Sequence, residues 1–360
     1  MPNADIKAKQ WMIYGASGYT GAVIAEHARE NNASLSLPFL AGRDEEKIKP
    51  LAQRLGLQWR IFDLNNAEQL KAELHDIDLV LHCAGPFSAT SAPMVDACIA
   101  THTHYLDITG EFKVLEAIKA RSADAKAAGC SLIPAVGFDV VPTDCLANML
   151  HKRLPDASHL EMAFCGKGGA SPGTMKTMIE MLGEGGYIRR NGEITQVAAA
   201  FKQKIITFSH ATHWCMTIPW GDISTAFTST GIANIEIYTA VPKRAAKIVR
   251  WANPLLGIMR FKAIQHMLKA EVGKRVRGPD KQSRESGSMH LWAKVTNDKG
   301  EVREACLDVA EGYEFTVMSA LAAVQRVLEG GIATGTLTPA QAFGEDYVLS
   351  FDKSCLSEKD

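Results

Sequence analysis

None of the eight cysteines pairs with another in C-x-x-C spacing; they are scattered at positions 83, 98, 130, 145, 165, 215, 306 and 355, mostly within apolar stretches. That distribution excludes a disulfide framework and a C-x-x-C zinc motif, and it fits thiols kept reduced. Net charge is equally scarce. Thirty-nine basic residues against 40 acidic ones leave −1, no electrostatic footprint for nucleic acid. Long apolar runs are missing too: the two longest uncharged runs, 79–95 and 205–221, are broken by His, Ser, Thr, Gly or Pro, so no membrane span is expected. The opening MPNADIKAKQ lacks the apolar core of a secretory signal, and a cytoplasmic location is the expectation. No G-x-x-x-x-G-K-[ST] occurs, which excludes a mononucleotide P-loop. None of the seven tyrosines has Lys four residues on, which excludes the Tyr-x-x-x-Lys chemistry of short-chain reductases.

What is present is a regular alternation. Apolar runs at 11–14, 36–41, 58–62, 78–83, 104–108 and 131–136 read as buried strands, separated by helical stretches at 19–30, 44–55, 66–74, 91–100 and 112–127. Parallel strands need a crossover, so this rhythm predicts an α/β Rossmann domain, a doubly wound parallel sheet with helices on both faces, over residues 1–145. Beyond it the pattern changes. Short alternating segments, including NIEIYTAVP and the hairpin MHLWAKV-TNDKG-EVREACLDV, predict a second α+β domain with a mixed or antiparallel sheet over 146–310. The amphipathic stretch GYEFTVMSALAAVQRVLEGG opens a segment, 311–345, expected to pack back onto the first domain.

The first crossover carries GASGYTGAVIAEHA, a G-x-x-G-x-x-G turn between strand and helix. Gly15 would let the chain turn sharply, Gly18 would let the backbone approach a pyrophosphate at a helix N-terminus, and Gly21 would seat that helix on the sheet. Ser17, Tyr19 and Thr20 add hydroxyl donors. The second strand ends in Ala41-Gly42-Arg43, a cation where an NAD-specific fold carries an acid, so NADP(H) is the expected cofactor. Asp44 reads as the cap of the following helix. Past the fourth strand, Cys83, Ala84, Gly85, Pro86 and Phe87 would run along the nicotinamide ribose, with Phe87 as a wall.

Tyr105, Asp107 and Glu111 cluster at the fifth strand's end. Asp107, Tyr105 or a water is the candidate catalytic proton source, while Asp107 or Glu111 could equally cap the next helix. Gly137, Phe138 and Asp139 fall at the domain junction. Farther on, Gly168, Gly169, Ser171, Gly173 and Thr174 could form an anion- or carbonyl-binding turn for substrate, with Trp214, Met216 and Trp220 as an apolar wall. His102 and His104 share a strand face but lack a third ligand nearby, so no metal is expected.

In order and spacing, GASGYTG, AGR, HCAGPF, THYLDITGE and GFDVVPTD resemble the saccharopine dehydrogenase-like oxidoreductases, a group that includes the trans-acting enoyl reductases of lipid synthesis. The likeness continues through GGASPGTMKTMIEM, PWGDISTAFTSTGIANIEIY and the helix from Gly312. It implies an NADP-binding Rossmann domain, a second domain over which substrate lies, and a homodimer through the second sheet. Carried over to matching positions, it places Gly15, Ser17, Gly18, Tyr19, Thr20, Arg43, Ala84 and Gly85 on the cofactor. No arginine cluster stands on the second domain's motif positions, which argues against saccharopine as substrate. The acyl-phosphate reductases share the G-A-[ST]-G-Y-T-G opening, but Cys145 and Cys165 lack the polar, glycine-rich surroundings of an activated nucleophile.

One stretch stands apart in charge: residues 243–284 hold twelve Lys/Arg against two acids, Glu271 and Asp280. With its apolar positions it could lie on an anionic membrane or receive an acyl carrier, or it could be a packed helix with solvated charges. The expectation is an NADP(H)-dependent oxidoreductase passing hydride to an enoyl- or imine-type small molecule, lipid-linked if the basic stretch meets a membrane. The alternative is a non-catalytic NADP(H)-binding sensor or scaffold.

Overall fold

The computed structural model describes residues 9–30, 35–166, 171–253 and 261–359. Six strands, β1 (Trp11–Tyr14), β2 (Phe39–Gly42), β3 (Trp59–Ile61), β4 (Leu79–His82), β5 (His104–Asp107) and β6 (Ser131–Ile133), alternate with helices α1 (Tyr19–Glu30), α2 (Glu45–Leu55), α3 (Ala67–Leu74), α4 (Phe87–Ala100), α5 (Phe112–Lys119) and α6 (Ser122–Ala127). The strands lie parallel in the order β6-β5-β4-β1-β2-β3, and a late segment, Gly335–Thr336, adds a seventh strand beside β6. Successive strands are added to one side from β1 to β3 and to the other from β4 to β6, so the gap between β1 and β4 is the switch point where open α/β sheets take their ligands. Continuous apolar runs such as WMIY and LVLH are buried on both faces because helices cover both.

Two boundaries differ from the sequence reading. The helix expected at 91–100 begins at Phe87, so Pro93 lies inside it. No residue just before Phe87 caps it; the Glu111 carboxylate, from after β5, accepts from Phe87 N and Ser88 N at 3.0 Å each. A cap supplied from 24 residues away leaves no local signal. The stretch 112–127 is two helices, broken at Ala120–Arg121.

The chain then enters α7 (Val141–Arg153), whose apolar face packs on a second sheet rather than the first. That sheet contains β7 (Ala157–Gly166), β8 (Gly186–Arg190), β9 (Glu193–Val197), β10 (Gln203–Thr207), β11 (Thr212–Thr217), β12 (Asn234–Ala240), β13 (Ser288–Asn297) and β14 (Val302–Ala310), with a final strand, Cys355–Lys359, on β14. Its path is β10-β11-β12-β7-β13-β14 and then that last strand; β8 joins β12 and pairs with β9. β7 and β12 are parallel and the other pairs antiparallel, a mixed sheet. Helices α8 (Pro172–Leu182), α9 (Asp222–Thr230) and α10 (Lys243–Trp251) accompany it. Neither Gly335–Thr336 nor Cys355–Lys359 was expected; both are too short and too polar to show a period of two.

The helix Gly312–Glu329 is keyed into both halves. Phe315 lies in the core beneath the second sheet, while Val317, Ala320, Ala323, Val324 and Val327 lie in the core shared by α1, β1 and β4. No described helix is long and apolar enough to cross a membrane.

Candidate functional site

At the end of β1 the chain turns at Gly15 with φ +86°, a left-handed conformation that favours glycine. Gly15 N and Ala16 N both donate to Ala41 O (2.8 and 3.2 Å), drawing the turn against the end of β2. A Cβ on Gly15 would meet Ala84 N at 2.6 Å, and one on Gly21 would meet Gly15 O at 2.5 Å. Glycine is therefore required by close backbone approach at both positions. Ser17 and Gly18 are exposed and open α1, whose first-turn N–H groups have no partner within the helix. Together these features fit a diphosphate held on a helix N-terminus. Arg43 stands exposed just past β2, beside the turn. Asp44 begins α2 but does not cap it with its side chain; its carboxylate instead accepts from Lys47 Nζ at 2.6 Å.

From this turn a cavity of about 330 Å³ extends between the sheets. The first half contributes Thr20, Cys83, Gly85, Phe87, Ile108, Gly110, Glu111, Phe138 and Asp139. The second contributes Phe164, Gly166 and Met289 from its strands, Ser171, Gly173, Thr174, Thr177 and Met178 around α8, and Trp220. Glu311, Gly312, Tyr313 and Thr316 close it from the start of the long helix. The described lining is aromatic and thioether-rich, with three carboxyl groups and no Lys, Arg or His.

Two of those carboxyls are committed to helix ends. Glu111 holds the start of α4, and Glu311 accepts from Tyr313 N (2.8 Å) and Glu314 N (3.2 Å). Asp139 is different. Its main-chain oxygen accepts from Trp220 Nε1 at 2.7 Å, while its carboxyl packs against Gly110, where a Cβ would fall 2.6 Å from Oδ2. Burial, and then the nearby Glu111, push the Asp139 carboxyl up to about 7. Near neutrality it can hold a proton or release one. Tyr313 lies opposite, its OH accepting from Ser171 N at 2.5 Å and 3.0 Å from Thr174 Oγ1, and burial raises its phenol above the usual range.

The sequence-derived candidates separate into groups. Thr20, Cys83, Gly85 and Phe87 line the cavity, Gly15, Gly18, Gly21 and Ala84 build the turn beside it, and Pro86 leads into α4. Ser171, Gly173, Thr174 and Trp220 also line it, whereas Gly168 and Gly169 lie outside the described residues. Trp214 and Met216 are on β11, away from the cavity; Trp214 lies under Lys243 Nζ, 4.5 Å from the ring centre. Tyr105 and Asp107 do not line the cavity either. Both are fully buried in β5, Tyr105 OH donating to Asp107 Oδ2 (2.7 Å) and Asp107 Oδ1 accepting from Thr109 N and Ala135 N (2.9 and 2.7 Å). That bonding makes them a brace for the loops after β5 and β6. Tyr313, Glu311 and Met289 were not read as site residues; their only signal was position, at a helix start and on a strand next to the junction.

Comparison with known proteins agrees with this geometry. Residues 11–133 match the family described as the saccharopine dehydrogenase NADP binding domain. The first half is thus a nicotinamide-dinucleotide-binding domain, and the resemblance read from the motifs is found independently. A trans-acting enoyl reductase of Mycobacterium leprae is 32% identical over 149 residues, 40% of this chain and 35% of that protein. The mouse saccharopine dehydrogenase-like oxidoreductase is 36% identical over 150 residues, 37% of this chain and 35% of that protein. The chain therefore matches only about a third of either relative's length. Over 98% of this chain and all of the other, the fold superposes on apo saccharopine dehydrogenase from Saccharomyces cerevisiae with a TM-score of 0.68 at 13% identity, which establishes shared architecture.

Proposed function

We propose that the protein is an NADP(H)-dependent oxidoreductase that reduces an enoyl- or imine-type substrate with an apolar body. One observation carries this reading: a single cavity touches the dinucleotide turn at Thr20 and the segment after β4 at Gly85, and also contains Asp139, an acid poised near neutrality. Bound NADPH supplies a hydride; the chain's part is to place the substrate and to manage a proton. Ser17, Thr20 and the first-turn N–H groups of α1 hold the diphosphate; Tyr19, expected from the sequence to donate as well, gives its hydroxyl proton to Pro279 O instead; and Arg43 takes the 2′-phosphate by charge-assisted hydrogen bonds. The main chain at Gly85–Phe87 borders the nicotinamide end. Phe138, Phe164, Met178 and Trp220 exclude water and grip the substrate's apolar body. Asp139 holds the proton delivered to the reduced substrate, and Tyr313 orients the polar group.

The described lining lacks any cation and carries three carboxyls, so it favours a neutral enoyl or a protonated imine over a multiply carboxylated amino acid. The surface of α10 supports peripheral contact with anionic lipid. Lys243, Arg244, Lys247 and Arg250 accompany Ile248 and Trp251, which are 67% and 84% exposed.

The test is NADPH oxidation with a panel of enoyl and imine substrates of increasing chain length. Turnover that improves with apolar length supports the reading. Tight NADPH binding without turnover across the panel would favour the sensor alternative, and failure to bind either coenzyme would remove the redox assignment.

A further inference from the structure

The outer face of the second sheet carries a cluster that this chemistry does not use. Phe164, Gly166 and Met289 face the cavity, so their neighbours Cys165 and His290 point to the other side of β7 and β13, where they are paired across the ladder. The β10–β11 hairpin reaches this face. Only Cys215, Met216 and Thr217 of β11 pair with β12, so the outer part of the hairpin leaves the sheet and folds across it. Its tip is anchored by Ser209 Oγ, which donates to Asp308 Oδ1 on β14 at 2.6 Å, and by Phe208, buried against Trp292 and Cys306. This brings His210 and His213 over Cys165.

The ligand atoms of Cys165, His210 and His213 all lie within 4.8 Å of one another. The two Nε2 atoms face each other at 3.5 Å. A tetrahedral zinc ion with Zn–N distances of about 2.0–2.1 Å separates two such nitrogens by roughly 3.4 Å. One thiolate and two imidazoles suit zinc and do not suit calcium or magnesium, which take oxygen ligands. His290 stacks on His210 with ring centres 3.7 Å apart, and its Nδ1 is 2.8 Å from Asp308 Oδ1. The His210 ring is thereby held in place by a third histidine fixed on a carboxylate.

We propose that Cys165, His210 and His213 bind a zinc ion that fastens the β10–β11 hairpin to the outer face of the second sheet. The buried thiol forms the floor and the two more accessible imidazoles form the rim. Binding releases the thiol proton to solvent, and the fourth position is open to water. The site lies across the sheet from the cavity, so its role is structural, and it stands whether or not the redox reading holds.

The experiment strips the full-length protein with a chelator and titrates it with zinc against a chromophoric competitor and, separately, with cobalt(II). One equivalent should bind at micromolar concentration or tighter, raise the melting temperature, and give thiolate-to-cobalt charge-transfer absorption. His210→Gln and His213→Gln should each weaken binding a hundredfold or more, and Cys165→Ser should abolish the charge-transfer band. His102→Gln, an exposed histidine on the first half, should change nothing. Should Cys165→Ser fail to fold, the two histidine variants decide the matter. Absence of stoichiometric binding by the folded wild type, or unchanged affinity in both histidine variants, overturns the proposal.

Discussion

The rings of Tyr19 and Tyr313 meet edge to face, their centres 5.0 Å apart and their planes at 82°. One belongs to the first turn of α1 and the other to the first turn of the helix Gly312–Glu329, so the dinucleotide turn and the cavity share a wall. Tyr19 is held in turn from the second half: its OH donates to Pro279 O at 2.5 Å and accepts from Arg284 Nη1 at 3.2 Å.

Shortening Tyr313 should therefore separate two roles. Tyr313→Phe keeps the ring against Tyr19 and loses the hydroxyl that holds Ser171 N, so kcat should fall about two- to tenfold with NADPH affinity nearly unchanged. Tyr313→Ala should also weaken NADPH binding, measured by fluorescence titration. Equal effects of the two variants on NADPH would refute the shared wall.

Arg43 tests coenzyme choice. Arg43→Ala should weaken NADPH roughly tenfold or more, the scale of a charge-assisted hydrogen bond, and leave NADH little changed. Titrating both coenzymes checks this, and parallel losses would remove the 2′-phosphate contact.

Asp139 sets the pH dependence. Burial raises its folded-state value from about 3.8 to about 7, so the protonated acid persists up to neutrality. If that form donates the proton, the rate of reduction should be full below about pH 6 and decline as pH rises through 7. Asp139→Asn should lower kcat/KM by roughly 10²- to 10⁴-fold and flatten that limb. A wild-type profile that rises through pH 7 would assign the proton elsewhere.

Removal of the apolar tip of α10 tests the lipid contact. Ile248→Ser with Trp251→Ser should reduce co-sedimentation with vesicles rich in anionic phospholipid while leaving the melting temperature unchanged, because both side chains are exposed. Wild-type protein that ignores such vesicles at low salt would sink the contact.

The parallel sheet and its glycine turn were legible in the sequence because both leave local marks: continuous apolar runs for strands buried on two faces, and glycines where backbones touch. The cavity lining was much less legible. Tyr105 and Asp107 looked available as single letters at a strand end, but they satisfy each other inside the sheet. Asp139 was placed at the junction, yet its role depends on Gly110 and Glu111, brought beside it from after the preceding strand. The Cys165–His210–His213 cluster was illegible for the same reason. Its members are 45 and 48 residues apart along the chain, and only the departure of the hairpin from its sheet unites them. The charge excess at 243–284 was visible, but part of it falls outside the described residues, and the helix Lys262–Arg275 that follows packs against α8.

Because the helix Gly312–Glu329 buries residues in both cores, neither half is a self-sufficient module despite the familiar look of the first 145 residues. A fragment ending near residue 310 would expose an open trough along α1 and β4 as well as the socket of Phe315. Splitting the gene between residues 145 and 146, inside α7, should thus yield two insoluble pieces, and any reassembly would need the carboxy-terminal segment to serve both as common keystone.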